Sequence, residues 1–283
     1  MLQYFMNNKY KSTFDRLHPP KLEYFCKVDE ISSTMPRTMH MHTNLVEILL
    51  VYNGNGIYMI ENDKYTAQKG DLILYNSNIL HDEFGGSGTS LCTYCLAISN
   101  LKLDNLEKNK IISPEYIPVI SLGKFFDEFL SLFECMEHTI TENEPYSTEF
   151  AHFLTEAIIV KICHIIKTNG IHRQQEIVSL SDKVKNYIDN HYNEQISLEQ
   201  IADAVKANKY YLSHMFKAKT GFSPLQYVVR RRIGEAQNLL INTNMSITQI
   251  AATVGYNNSN YFQNIFRKYM GMTPGHYRKK WKL

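Results

Sequence analysis

Apolar positions change their spacing twice along the chain. From about residue 20 to 100 they come in short runs, Val46–Tyr52, Gly56–Ile60, Leu72–Tyr75 and Leu91–Ile98, divided by Asn53-Gly54, Asn62-Asp63, Lys69-Gly70 and Gly85-Gly86. Short runs bounded by such turn formers predict antiparallel strands of a small barrel or sandwich. The spacing then becomes helical. Leu122, Phe125, Phe126, Phe129, Phe133 and Met136 predict a helix over 121–138, and Phe150, Phe153, Leu154, Ala157, Ile158, Ile162 and Ile165 predict another over 146–168. The polar stretch from Asn169 to Ser179 reads as a linker.

Beyond it the chain repeats itself. Ser197-Leu198-Glu199-Gln200-Ile201-Ala202 recurs as Ser246-Ile247-Thr248-Gln249-Ile250-Ala251, at an offset of 49 residues. One inserted residue later, Leu212, Met215, Phe216, Gly221 and Pro224 align with Phe262, Ile265, Phe266, Gly271 and Pro274. Each copy opens on a capping-box pair, Ser197 with Gln200 and Ser246 with Gln249. Each continues with an apolar face at i, i+3, i+4 and i+7, a turn, and a second amphipathic helix that ends at glycine. Helix, short turn, helix is the helix-turn-helix, whose second helix enters the major groove of DNA. The polar faces of the second helices fit that role. Lys209, Tyr210, Ser213, His214 and Lys217 line one, and Ser259, Asn260, Gln263, Asn264 and Arg267 line the other; these groups bond base edges and phosphates. A helix over 224–241 joins the copies at a length of roughly 27 Å. Arg230, Arg231 and Arg232 on it are candidates either for phosphate contacts or for internal ion pairs.

Charge agrees with this division. Residues 181–283 carry 15 Lys and Arg against 6 Asp and Glu, whereas residues 1–180 carry 15 against 22, so the net charge of +2 conceals a basic carboxyl third. A basic module of this kind meets a polyanion. Five irregularly spaced cysteines are no disulfide framework, and Cys92-x-x-Cys95 on a strand would point its thiols to opposite faces. No apolar run reaches a membrane span and the opening residues carry no signal-peptide pattern, so a cytoplasmic protein is expected.

The two copies, with Arg230-x-Arg232…Ala236-x-x-Leu239-Leu240 and Gly255-Tyr256…Tyr261-Phe262-x-x-x-Phe266-Arg267…Gly271-x-Thr273-Pro274-x-x-Tyr277-Arg278, closely resemble the AraC/XylS family of bacterial transcription regulators. The resemblance covers about 181–280. It implies that Tyr210, Ser213 and His214, with Ser259, Asn260, Gln263 and Asn264, read bases. It also implies a homodimer, with one of the two predicted helices at the seam, and contact with RNA polymerase. Many members have arginine at the positions of His214 and Asn264. The Asn and Gln chemistry here leans toward adenine, so an A·T-rich half-site is expected for the second unit.

Upstream, His40-x-His42, Glu47 and Gly54 resemble the first signature of the cupin barrels, and Gly70-Asp71…His81 resembles the second, with Asn76 and Asn78 where proline and glycine are usual. Metal-binding cupins would use His40, His42, Glu47 and His81 as ligands. Regulators of this type generally keep the barrel metal-free, so the expectation is a ligand pocket without cofactor or metal. His40, His42, Glu47, Tyr52, Tyr58, Tyr75, His81 and Tyr94 are its candidate polar lining for a sugar or other metabolite.

The reading is an α+β protein of two domains. Residues 1–168 form a cupin-like antiparallel β-barrel with a helical pair, for effector sensing and dimerisation. Residues 169–180 are a linker, and 181–283 an all-α DNA-binding domain with two helix-turn-helix units. It is a regulator of transcription on double-stranded DNA, not an enzyme. The alternatives are a metal-dependent cupin enzyme with a DNA-binding tail and a ligand-independent DNA-binding dimer.

Overall fold

The computed structural model describes residues 2–4, 11–15, 19–30, 37–61, 63–84, 91–142, 145–173 and 179–281. Its first part is one eight-stranded sheet: β1 (Lys21–Val28), β2 (Arg37–His40), β3 (Leu45–Ile60), β4 (Asp63–Gln68), β5 (Asp71–Tyr75), β6 (His81–Phe84), β7 (Leu91–Ser99) and β8 (Val119–Ser121). Two long helices follow, α1 (Phe126–Glu142), entered through a short 3₁₀ turn at Gly123–Phe125, and α2 (Ser147–Asn169). The helical spacing had placed both within a few residues. The Gly85-Gly86 and Asn62 turn positions and residues 174–178 of the expected linker lie outside the described residues.

The pattern of two runs, Val46–Tyr52 and Gly56–Ile60, proves to be one strand. The chain passes Asn53-Gly54 with a shift in register instead of a hairpin turn, Gly54 taking a φ of 78° that bends the strand without ending it. The upper half of β3 pairs with β5 and β7, and the lower half with β4 and β6. This long strand carries the sheet from one layer to the other.

Period-two alternation sorts the side chains of β3. Val46, Ile48 and Leu50 join Leu72, Leu74, Leu96 and Ile98 on a face that α1 and α2 cover through Phe129, Phe133, Met136, Ile158 and Ile162. Leu49 and Val51 point the other way and pack with Tyr58, Ile60, Ile73, Tyr75, Leu91 and Cys95. The expected barrel does not close. The hydrogen-bonded path runs β1-β7-β3-β5-β8, with β1 and β8 at its two ends and no pairing between them among the described residues. Inner-face side chains from both halves of β3 fill the fold, so burial is achieved without a final seam.

The carboxyl part is helical: α3 (Leu180–His191), α4 (Leu198–Ala204), α5 (Lys209–Thr220), α6 (Pro224–Asn242), α7 (Ile247–Thr253), α8 (Ser259–Met270) and α9 (Pro274–Trp281). The caps are those the sequence announces. Ser197 and Ser246 accept from the N–H of Gln200 and Gln249, whose amides return a bond to the cap N–H. Asn208 and Asn258 cap the second helix of each unit. Gly221 and Gly271 close them with φ of 81° and 71°, a conformation costly to any residue bearing a Cβ. The turn between helices differs: the second unit uses Gly255, while the first holds Lys206 at a φ of 53°. Two separate cores result. Leu212 and Phe216 pack with Val184, Ile188 and Ile201, and Phe262 and Phe266 pack with Ile233, Leu240 and Ile250.

Strands β2 and β6 lie against α6. Met39 and Leu80 are buried in the same cluster as Val184, Ile188, Tyr227 and Val228 of the helical domain. At Gly234 the helix backbone approaches β2 so closely that an added Cβ would stand 1.6 Å from the carbonyl oxygen of Met39. Asp82, fully buried on β6, accepts from the Arg230 guanidinium, with Nε at 3.1 Å.

Candidate DNA interface and effector site

Helix α5 turns Leu212, Phe216 and Thr220 inward, and α8 turns Phe262, Phe266 and Met270 inward. The opposite faces carry the predicted reading groups. Tyr210, His214, Lys217, Asn260, Asn264 and Arg267 are exposed, and Lys209, Ser213, Ser259 and Gln263 are half-buried. None of the ten is inside the protein. Tyr210 and Tyr261, 75% and 57% exposed, are large aromatic rings left on these surfaces, where a folded domain without a partner gains nothing from them. The Lys209 ammonium donates to Glu199 at 2.8 Å in a solvent-exposed ion pair, a contact too weak to hold the ammonium from another anion.

The three arginines of α6 are engaged within the protein. Arg230 bonds to Asp82 at the seam between domains. Arg231 is buried over the Tyr192 ring, with Glu235 at 3.3 Å. Arg232 donates to the carbonyls of Tyr192 and Glu194, both at 2.6 Å. Burial decides this: the helix that spaces the two units is also the helix on which everything else packs. Sequence alone left the choice between phosphate and internal pair open.

In the first domain the structure gathers four of the eight predicted pocket residues. His40 ends β2, His42 follows in the loop, Glu47 sits on β3 and His81 opens β6 directly opposite His40. One side-chain donor atom from each lies within 4.8 Å of all the others. Glu47 and His81 are buried; His40 and His42 are half-buried and open the cluster to solvent. Glu47 Oε2 lies 3.1 Å from His81 Nε2 and 3.5 Å from His42 Nε2. Burial pushes the Glu47 carboxyl up, but the bond from His81 and the charges of His42, His81 and His40 outweigh it and hold the group well below the usual carboxylate range. Tyr75 stacks on His81 at 3.9 Å, and Tyr58 is buried in the same inner core.

Tyr52 and Tyr94 do not belong with them. Position 94 lies across from Leu50, on the face covered by helices, and Tyr94 packs on Phe133 while its hydroxyl donates to Glu137 Oε2 at 2.7 Å. Tyr52 stacks on Tyr94 and donates to the Val28 carbonyl at 3.3 Å. Strand parity excludes both. Two residues went unnoticed in the sequence. Tyr24 donates its hydroxyl to Glu47 Oε1, and Cys95 lies 3.7 Å from the same oxygen. The parity of Cys95 with Glu47 across the β3–β7 pairing is the only signal that would have found it; nothing local marks Tyr24.

Comparison with known proteins bears on both domains. Residues 30–154 match the family described as the AraC-like ligand binding domain, and residues 201–280 match a helix-turn-helix domain. An uncharacterized HTH-type transcriptional regulator of Escherichia coli (strain K12), YdiP, is 25% identical over 285 residues, covering 100% of this chain and 93% of its own. The HTH-type transcriptional activator RhaR of the same organism is 24% identical over 244 residues, 84% of this chain and 86% of its own. Among solved structures, the C-terminal domain of AraT, a response regulator from Geobacillus stearothermophilus, is 30% identical with a TM-score of 0.37, covering 38% of this chain and 91% of that one. No helix among the described residues is long and apolar enough to cross a membrane.

Proposed function

The chain belongs to the AraC family, as a DNA-binding transcription regulator with a ligand-binding N-terminal domain, and on that premise we propose that α5 and α8 read two successive major-groove segments of one duplex. The observation that carries this is the sidedness of the two helices: the polar groups expected to read DNA stand on the outer face, and Leu212, Phe216, Phe262, Phe266 and Met270 are buried on the other. Ser213, His214, Gln263 and Asn264 meet base edges. Lys217 and Arg267 meet phosphates, as does Lys209 once Glu199 yields. Residues 1–168 sense the effector and pair subunits, 169–180 link, and 181–283 bind DNA.

The pairing surface we assign is the outer face of α2. Phe150, Phe153 and Val160 are exposed there beside Tyr146, at spacings of 4, 3 and 7 that form one stripe. A second copy of this helix is the occupant that would cover it symmetrically. A ligand in the first domain acts by binding one arrangement of the two domains more tightly than another, which changes the DNA sites a dimer can span and its contact with RNA polymerase. The name of RhaR favours activation as the outcome.

Selection of bound duplexes from a random pool by the purified protein tests the assignment. An A·T-rich half-site under the second unit is expected. A G-rich core there, or enrichment of no sequence at all, overturns the reading face.

A further inference from the structure

We propose that Cys26 and Cys95 are a reversible dithiol–disulfide pair, oxidised by a hydroperoxide, and that its state bears on the docking of α6. Register brings the two residues together. Cys26 on β1 stands directly opposite Cys95 on β7, and both pack in the inner core with Leu49, Val51 and Tyr75. Opposed residues of an antiparallel pair have Cα atoms roughly 4.5–5.5 Å apart, inside the roughly 4.4–6.8 Å that a disulfide spans. Their Cβ atoms, also about 4.5–5.5 Å apart, must close to about 3.5–4.5 Å, a small movement for an edge strand. Strand β1 is such an edge, bonded to β7 alone among the described residues.

Spacing along the chain points to a different partner, Cys92, and the sheet rules it out. Cys92 shares the parity of Tyr94 and Leu96, which face the helices, and lies beside Tyr52 on that side. Cys135 is on α1, and Cys163 on α2 packs in the same helix-covered core. Cys26 is therefore the cysteine that shares a face with Cys95. Access differs within the pair: Cys95 is 1% exposed and Cys26 is half-buried, so a peroxide reaches Cys26 first. The Cys26 thiolate attacks one peroxide oxygen, the O–O bond breaks, and the departing hydroxide takes up a proton as water, leaving a sulfenic acid. The Cys95 sulfur then attacks the Cys26 sulfur, the S–S bond forms, the S–O bond breaks, and the hydroxide leaves with the Cys95 proton as a second water. Two thiols lose two electrons and two protons, and hydrogen peroxide becomes two waters. In a reducing compartment a disulfide of this kind is a transient, redox-sensing one.

The pair touches the path to the DNA-binding domain. In the reduced form the Cys95 thiol donates to Glu47 Oε1 at 3.7 Å, the same oxygen that Tyr24 on β1 bonds. A disulfide has no S–H to give, so oxidation takes one donor from a buried carboxylate, and drawing β1 toward β7 shifts Tyr24, the other donor, with it. Glu47 stands 3.1 Å from His81 on β6, and the next residue, Asp82, faces the other way and holds Arg230 of α6. The reduced and oxidised forms thus differ in the hydrogen bonding of the residue that positions His81, one step from the seam. The disulfide is independent of the proposed function; its effect on DNA rests on that reading.

The test treats reduced full-length protein with a small excess of hydrogen peroxide, blocks the remaining thiols, digests with trypsin and maps the linked peptides by mass. A reducible link is expected between peptide 22–27, which holds Cys26, and peptide 70–102, which holds Cys92 and Cys95. The link should persist in Cys92→Ala, vanish in Cys95→Ala, and open with dithiothreitol. A link from Cys95 to Cys92, or an oxidised Cys26 beside an intact Cys95 thiol in the wild-type chain, overturns the pair. Docking is then read without DNA, as the rate of proteolysis between 169 and 180 in the two forms. Affinity for the selected duplex should also differ at least about 5-fold, the lower end of ordinary coupling between sites, and dithiothreitol should reverse both changes. Cys26→Ala, its fold checked by circular dichroism, should show neither response to peroxide. Equal proteolysis of the two wild-type forms, or the same response in Cys26→Ala, overturns the link to α6. Altered proteolysis with no duplex bound by either form counts against the DNA reading alone.

Discussion

At the scale of single residues, two classes of contact on the same helices separate by experiment. Gln263 has an amide that can bond an adenine edge in two places, whereas Lys217 is a point charge on an exposed face. Gln263→Ala should cost roughly 1–3 kcal/mol on the selected duplex and relax base preference there. Lys217→Ala should weaken all duplexes alike and flatten the salt dependence by about one ion. Binding titrations on matched and scrambled duplexes at several salt concentrations check both. Equal losses on every sequence for Gln263→Ala would mean that it too is a backbone contact. The reading groups were visible in the sequence because a helix face is a local property. The fate of Arg230 was not, since its partner Asp82 lies 148 residues away.

At the scale of elements, helix ends carry much of what the sequence announces. The Ser246 hydroxyl accepts from the Gln249 N–H, one of the orphan donors of α7, and the Ser246 N–H donates to the Gln249 side-chain oxygen in return. Ser246→Ala should therefore lower unfolding free energy by about 1 kcal/mol in denaturant titration, with folding otherwise unchanged. At α3 the cap also titrates. Burial pushes the Asp182 carboxyl up, but the Ser179 hydroxyl and backbone N–H, with the Lys219 ammonium at 3.0 Å, outweigh it and hold it below its ordinary value. A carboxylate depressed in the folded state stabilises above its unfolded pKa of about 3.9 and loses that contribution as pH falls through the folded value. Denaturant midpoints measured from about pH 6 downward should show an acid limb that Asp182→Asn flattens. Strand ends were less legible. Asn53-Gly54 reads as a hairpin turn, and only the presence of β6 and β7 on either half of β3 makes it a bend within one strand.

At the scale of the whole molecule, the seam between domains is the feature with most consequence. Gly234 sits in mid-helix, where alanine would favour the isolated helix by about 0.8–1.0 kcal/mol. The Met39 carbonyl leaves no room for that methyl group. Gly234→Ala should therefore keep the helical content and undock the domains. The expected result is a larger radius of gyration in solution scattering and faster proteolysis between 169 and 180. Unchanged scattering would show that the seam tolerates the side chain and that the close approach is not what holds it.

Periodicity, caps and the repeat were enough to establish two helix-turn-helix units, their outward faces and a strand-rich first domain, because hydrophobic spacing and hydrogen bonds at helix ends act over a few residues. Tertiary structure alone decided that Glu47 meets His81, that Tyr52 and Tyr94 turn away from them, that the sheet stays open, and that Arg230 is spent on Asp82. Each of those outcomes depends on pairing between distant strands or on what a distant surface buries. A one-residue change in register would reverse any of them, and no local pattern records it.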